Sequence, residues 1–175
     1  MSSAPEGIVL KRDRDLEGRL WHPVLRRSLL GLLVLVLVLA LFDIFGQSPS
    51  TNRAVAPGTA SLAIQAPEAA RGGLLFQARF TIEAESEIKA ATLVLGRGWL
   101  DGLTINTIEP SPVNEASRDG SLVFELGHLP AGSRYVLYVQ YQVNPTTLST
   151  RTLTTELEDG EQHLLTIDKP LTLFP

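Results

Sequence analysis

The sequence predicts an all-β sandwich of seven to eight antiparallel strands preceded by one transmembrane helix. Three observations carry this. An unbroken Leu/Val run lies near the N-terminus. Beyond it, apolar and polar residues alternate with a period of two. Turn-forming Gly, Pro, Asn and Asp residues separate the alternating segments. The 175 residues include no cysteine, which excludes disulfides, thiolate nucleophiles and cysteine-bound metal. A β-domain of about 115 residues must therefore hold together by burial alone, which its size permits.

Residues 28–42, SLLGLLVLVLVLALF, carry no charge. As a helix they reach about 22 Å, and extension to residue 45 gives about 27 Å against a hydrocarbon core of roughly 30 Å. Residues 28–45 are therefore expected to span a membrane as a signal-anchor, with Asp43 at the far interface and Arg26 and Arg27 at the near one. The rival is a cleaved signal peptide. Its apolar region is typically 7–15 residues, the only cleavage-like site is Gly46-Gln47-Ser48, and the 27 residues before the run are many for a leader. A run so uniform shows no polar face to water, and it holds no small-xxx-small pair for helix packing. Membrane lipid around residues 28–45 is the expected partner.

Charge sets the expected orientation. The net charge is −4. Residues 1–27 hold six bases and four acids, whereas residues 43–175 hold nine bases and fifteen acids. Arg26 and Arg27 abut the run on its N-terminal side, so the positive-inside rule places residues 1–27 in the cytoplasm as a polar tail and the remainder outside a plasma membrane. The acidic balance of the large segment excludes a nucleic-acid footprint. Residues 46–59, GQSPSTNRAVAPGT, read as a linker that lifts the domain off the membrane.

From residue 60 onward the pattern is that of strands. In residues 73–85, Leu74, Phe76, Ala78, Phe80, Ile82 and Ala84 share one face, and Gln77, Arg79, Thr81, Glu83 and Glu85 the other. In residues 133–144, Tyr135, Leu137, Val139, Tyr141 and Val143 alternate with Val136, Tyr138, Gln140 and Gln142. Weaker strands are expected at 61–66, 88–96, 103–109, 121–126, 150–158 and 163–168, with a short last one at 171–174. Lys169-Pro170 reads as a turn between the last two, and Asp159-Gly160 as a type I′ hairpin turn.

The run DGSLVFELGHLPAGSRYVLYVQYQVNPT resembles the second half of the bacterial Ig-like repeats of the DUF11 or conserved-repeat type, through Leu126, Gly127, Leu129, Ala131, Gly132 and Ser133. Upstream, RGGLLFQARFTIEAESEIKAATLVL is similar to their preceding strand pair, and Leu100, Gly102 and Leu103 occupy their loop. Glu85-Ser86-Glu87 stands where those repeats have Asn, and Asp101 where they have Pro. The resemblance implies an Ig-like sandwich at residues 60–175, a cell-envelope location, and adhesion, scaffolding or protein binding without catalysis.

Motifs for phosphate, zinc or an activated serine are absent from the sequence, so no cofactor, metal or catalytic residue is expected, and no enzyme. His128 reads as a turn residue and His163 as a strand end. Glu156 and Glu158 read as one solvated face, and Glu83, Glu85 and Glu87 as an exposed acidic stripe that discourages sheet-to-sheet pairing. Trp99, in GRGWLDG, either folds back as a lid on the core or anchors an interface. With Leu100 and Asp101 it forms the candidate interaction site. Two roles follow: a protein-binding or scaffolding module of the envelope, or an accessory subunit of a membrane complex whose main contacts the anchor makes. A carbohydrate-binding module would need more exposed aromatics than Trp99 and Tyr138.

Overall fold

The computed structural model describes residues 21–41 and 48–174, in two units that divide after residue 45. The first contains helix α1, Trp21–Leu41, 21 residues or about 31 Å long. It starts seven residues before the expected span, because Pro23 falls in the first turn, where its missing N–H costs no helical bond. Arg26 and Arg27 are thus helical and exposed. Within α1, Pro23–Leu41 has a mean hydropathy of 2.4 and is long and apolar enough to cross a membrane. Asp43 lies outside the described residues.

The second unit is a β-sandwich of two sheets. Its strands are β1 (Pro49–Ala56), β2 (Ala60–Pro67), β3 (Ala69–Arg71), β4 (Leu75–Ala84), β5 (Ile88–Leu95), β6 (Leu103–Glu109), β7 (Asn114–Arg118), β8 (Ser121–Leu129), β9 (Arg134–Val143), β10 (Ser149–Asp159) and β11 (Gln162–Phe174). One sheet has the order β1-β2-β4-β9-β6, the other β3-β11-β10-β5-β8-β7. Strand β9 returns between β4 and β6, so its neighbours are distant in sequence. The period-two residues of β4 and β9 behave as their pattern requires: Phe76, Ala78, Phe80, Ile82, Leu137, Val139, Tyr141 and Val143 are buried. They meet Leu93, Leu95, Phe124, Leu153, Leu157 and Ile167 of the other sheet in one core.

Three features differ from the sequence expectation. The first is strand count: eleven among the described residues rather than seven or eight, with a parallel pairing of β3 on β11. Strands β3 and β7 are three and five residues long, and every residue of β7 is exposed, so neither carries a readable hydrophobic period. The second is β11, which runs unbroken through Lys169-Pro170. On β11 the amide of Thr172 points away from β10, to the Glu68 carbonyl at 2.8 Å. By the two-residue period the Pro170 nitrogen faces that same side, where β3 covers only Thr172–Phe174, so no ladder bond is lost.

The third difference concerns the expected linker, residues 46–59. Residues 49–56 of it form β1, paired with β2 along its whole length. The inward positions of β1 are Ser50, Asn52, Ala54 and Ala56, small or polar residues that give no hydrophobic signal. What holds them is Lys169 of β11, whose side chain is fully buried. Its ammonium donates to Ser50 Oγ and, at 3.0 Å, to Asn52 Oδ1, and lies 3.6 Å from Glu68. Ser50 Oγ in turn donates to Glu68 at 2.6 Å. The edge strand of one sheet is thereby tied to the other by a buried cation and its acceptors.

The charges respond to this arrangement. Burial lowers the Lys169 pKa, opposed by Glu68, and the Ser50 hydroxyl and Lys169 hold the Glu68 carboxyl below its ordinary 4.5. A carboxyl lowered on folding stabilises above its unfolded value and loses that contribution as pH falls through the folded one. The acid-induced loss of stability of the full chain in micelles should therefore shrink below pH 4.5 in Glu68→Gln, measured by denaturant unfolding. Bonds to a charged donor contribute about 1.5–3 kcal/mol, so Lys169→Met should raise amide exchange across β1 about tenfold or more. Exchange in β4 and β9 should stay unchanged.

Candidate interaction surface

The loop between β5 and β6 holds all three candidate residues. It begins with Gly96, whose amide donates to the Thr154 carbonyl at 2.9 Å, and turns through a short 3-10 segment, Arg97–Trp99. A Cβ on Gly98 would lie 2.1 Å from the Thr152 carbonyl oxygen, and one on Gly96 3.2 Å from that of Thr154. The two glycines let this backbone lie directly against β10, and that contact aims Trp99 inward.

Trp99 is 0% exposed. Its ring stacks on Tyr141 at 5.4 Å and meets Phe80 edge-on at 5.2 Å, while Tyr141 stacks on Phe76 at 5.3 Å. The indole Nε1–H donates to Thr155 Oγ1 on β10 at 2.9 Å. Trp99 is therefore the lid on the core, and its burial rules it out as a surface anchor in this structure. Leu100 is half-buried and Asp101 exposed. The Asp101 carbonyl accepts from the Arg151 guanidinium, and its amide donates to the Arg97 carbonyl at 3.0 Å. The Gly-x-Gly immediately before Trp99 is the signal that could have separated lid from anchor, since it announces a close backbone approach.

The other polar candidates are mostly engaged structurally. The expected acidic stripe is divided among partners: Glu83 with Arg53 at 2.9 Å, Glu85 with the Gly58 amide at 2.9 Å, and Glu87 with His128 at 2.9 Å. His128 lies within β8, ahead of the turn. Glu156 and Glu158 alternate in an unshifted register with β5, but Glu158 is only 8% exposed and so is not solvated. Arg118 of β7 reaches over β8 and β5 to Glu158 on β10, at 2.7 Å. Asp159 accepts the Ala90 amide at 2.8 Å. The turn after it has Gly160 alone at positive φ (63°), the type II′ pattern; both residues of Asp119-Gly120 are positive, as type I′ requires. Among the described residues no group of three or more His, Asp or Glu side chains converges as a metal site would need.

One open surface is the outer face of the β1-β2-β4-β9-β6 sheet. There the Arg79 guanidinium lies 5.7 Å over the Tyr138 ring. Two shallow depressions flank it, of about 250 Å³ beside Arg53, Glu83 and Arg134, and about 430 Å³ beside Pro49, Gln65, Leu75 and Tyr138. This face is polar, carries both signs of charge and presents one accessible aromatic ring.

No family model matches the chain, and no curated protein matches it. Among solved structures it is similar to AvmM, which catalyses macrocyclization in alchivemycin A biosynthesis, at 7% identity and a TM-score of 0.44, covering 74% of this chain and 90% of that one. It is similar to CaCohA2 from Clostridium acetobutylicum at 12% identity and 0.45, covering 61% and 85%. It is also similar to the CARDB domain of the PF1109 protein from Pyrococcus furiosus, solved with di-metal ions, at 9% and 0.41, covering 73% and 90%. The sandwich assignment rests on the two sheets and their register.

Three substitutions separate the parts of the ring stack. Trp99→Ala should cost about 3–5 kcal/mol by cavity formation, and Trp99→Phe about 1–3 kcal/mol, since Thr155 is left buried without its donor. Tyr141 has a buried hydroxyl with no hydrogen-bond partner and a phenol pKa pushed up by burial. Tyr141→Phe should therefore be neutral or stabilising within about 1 kcal/mol. Denaturant unfolding of the three variants checks this order.

Proposed function

We propose that this chain is a single-pass membrane protein whose extracytoplasmic sandwich is a non-catalytic protein-binding or scaffolding module of the cell envelope. The observation that carries the proposal is α1: an exposed apolar helix of spanning length, followed by a separate β-domain with its own core. A domain closed around its own core has no need of the helix for stability, so the helix is left to serve as anchor. Arg26 and Arg27 at its N-terminal side favour a cytoplasmic N-terminus. The outer face around Arg79 and Tyr138 is the surface offered to a partner. A mixed-charge, mostly hydrated face suits a protein partner better than an apolar small molecule.

The absence of native cysteine makes topology directly measurable. Ala131→Cys should react with an impermeant maleimide on intact cells, and Ser3→Cys only after lysis. A mature chain that starts near Ser48 would overturn the anchor. In pull-downs from membranes, Arg79→Ala combined with Tyr138→Ala should lose a stoichiometric partner. A partner kept by a chain cut after residue 48 would instead support the accessory-subunit role.

A further inference from the structure

The strand formed by residues 49–56 changes what the connection to α1 can do. Only residues 42–48 lie between Leu41, the last residue of α1, and Pro49, the first of β1. Fully extended, that connection reaches at most about 29 Å. The sandwich is itself about 30 Å long along β4. Which end receives the connection is therefore consequential.

Pro49 pairs with Pro67, at the end of the sandwich where β3 follows and β4 begins. The same end collects the apolar side chains that the core leaves out. Leu74 is 49% exposed, Leu75 50%, Leu148 65% and Phe174 47%. They are held close together. Ser149 pairs with Leu173, so Leu148 and Phe174 extend the same strand pair. The Gly72 amide donates to the Phe174 carbonyl at 2.7 Å, and Val143 donates to the Leu74 carbonyl at 3.0 Å. A Cβ on Gly72 would meet the Pro145 carbonyl at 2.8 Å, so the segments on either side of these four residues abut. Arg71 is exposed among them. Towards the opposite end, formed by Gly58, the Pro130-to-Ser133 turn and Gly160, the exposed large apolar residues are Val55 of β1 and Val113 ahead of β7, one at an outer edge of each sheet and not gathered together.

We propose that this end of the sandwich is a lipid-docking surface, with Leu74, Leu75, Leu148 and Phe174 entering the interfacial layer of the membrane that α1 spans. The inference rests on the anchor reading. Four half-exposed side chains are far too small for a stable protein interface, which buries about 1,200–2,000 Å². They are enough for a surface already tethered beside its target, because a short connection supplies a high effective concentration and a weak apolar contact then suffices. Docking would fix which face of the sandwich looks outward and would leave the sheet around Arg79 and Tyr138 standing across the membrane surface rather than along it.

The full chain, reconstituted in phosphatidylcholine vesicles that contain nitroxide-labelled lipid, tests this with a fluorophore on a single introduced cysteine. Leu74→Cys and Phe174→Cys probes should be quenched at least threefold more strongly than an Ala131→Cys probe at the opposite end. A Leu35→Cys probe within α1 reports the anchor independently. If it is not quenched, the anchor reading fails and the docking inference falls with it. If Leu35→Cys is quenched but the probes at 74 and 174 match the one at 131, the anchor stands and the docking surface is refuted. With a probe at Pro145→Cys, the combined change Leu74→Ser, Leu148→Ser and Phe174→Ser should lower quenching to the Ala131 level. Undiminished quenching would overturn the role given to these side chains.

Discussion

The sandwich depends on the burial of Trp99 between its sheets. The indole ring stacks on side chains of β4 and β9 in one sheet, while its N–H donates to Thr155 in the other. One side chain thus supplies apolar area to both layers and a directional bond that sets their relative position. Its own placement is enforced from behind by Gly96 and Gly98, where the loop backbone presses on β10. Without cysteine, the chain has no covalent cross-link between layers. Packing of this aromatic group takes the place that an inter-sheet disulfide and its tryptophan share in antibody-type domains.

The second tie between the sheets is of the opposite chemical kind. Lys169 is an ammonium with no exposed surface, and such a group is costly to bury unless its protons find acceptors. Ser50, Asn52 and Glu68 provide them. The result is specific rather than strongly stabilising: only a strand with those acceptors at alternate positions fits there. That specificity converts a stretch of Ser, Thr, Asn and Ala into an ordered edge strand, and it shortens the connection to the helix to residues 42–48.

The same redistribution applies to the acidic side chains. Counted along the sequence they form stripes and clusters; in the fold they are divided among arginines, backbone amides and a histidine on neighbouring strands. Glu158 shows why the pattern misleads. It is covered because Arg118 arrives from a strand 40 positions away in sequence. Period-two reasoning assigns a residue to a face and has no means of telling which long side chain from another strand will cover it there.

The sequence by itself determined whatever depends on local periodicity and composition. The apolar helix follows from an uninterrupted Leu/Val run. Strands β4 and β9 follow from alternation strong enough to assign each residue to a face, and the all-β class from turn residues spaced between short strands. Tertiary structure alone decided what depends on partners far apart in the chain. Residues 49–56 become a strand because Lys169, more than a hundred positions later, needs their acceptors. Pro170 is tolerated inside β11 because its nitrogen faces an uncovered edge. Trp99 is a lid because the loop packs on β10 and leaves its ring only the core to enter. In each case the deciding energy is a contact between residues that local pattern does not relate.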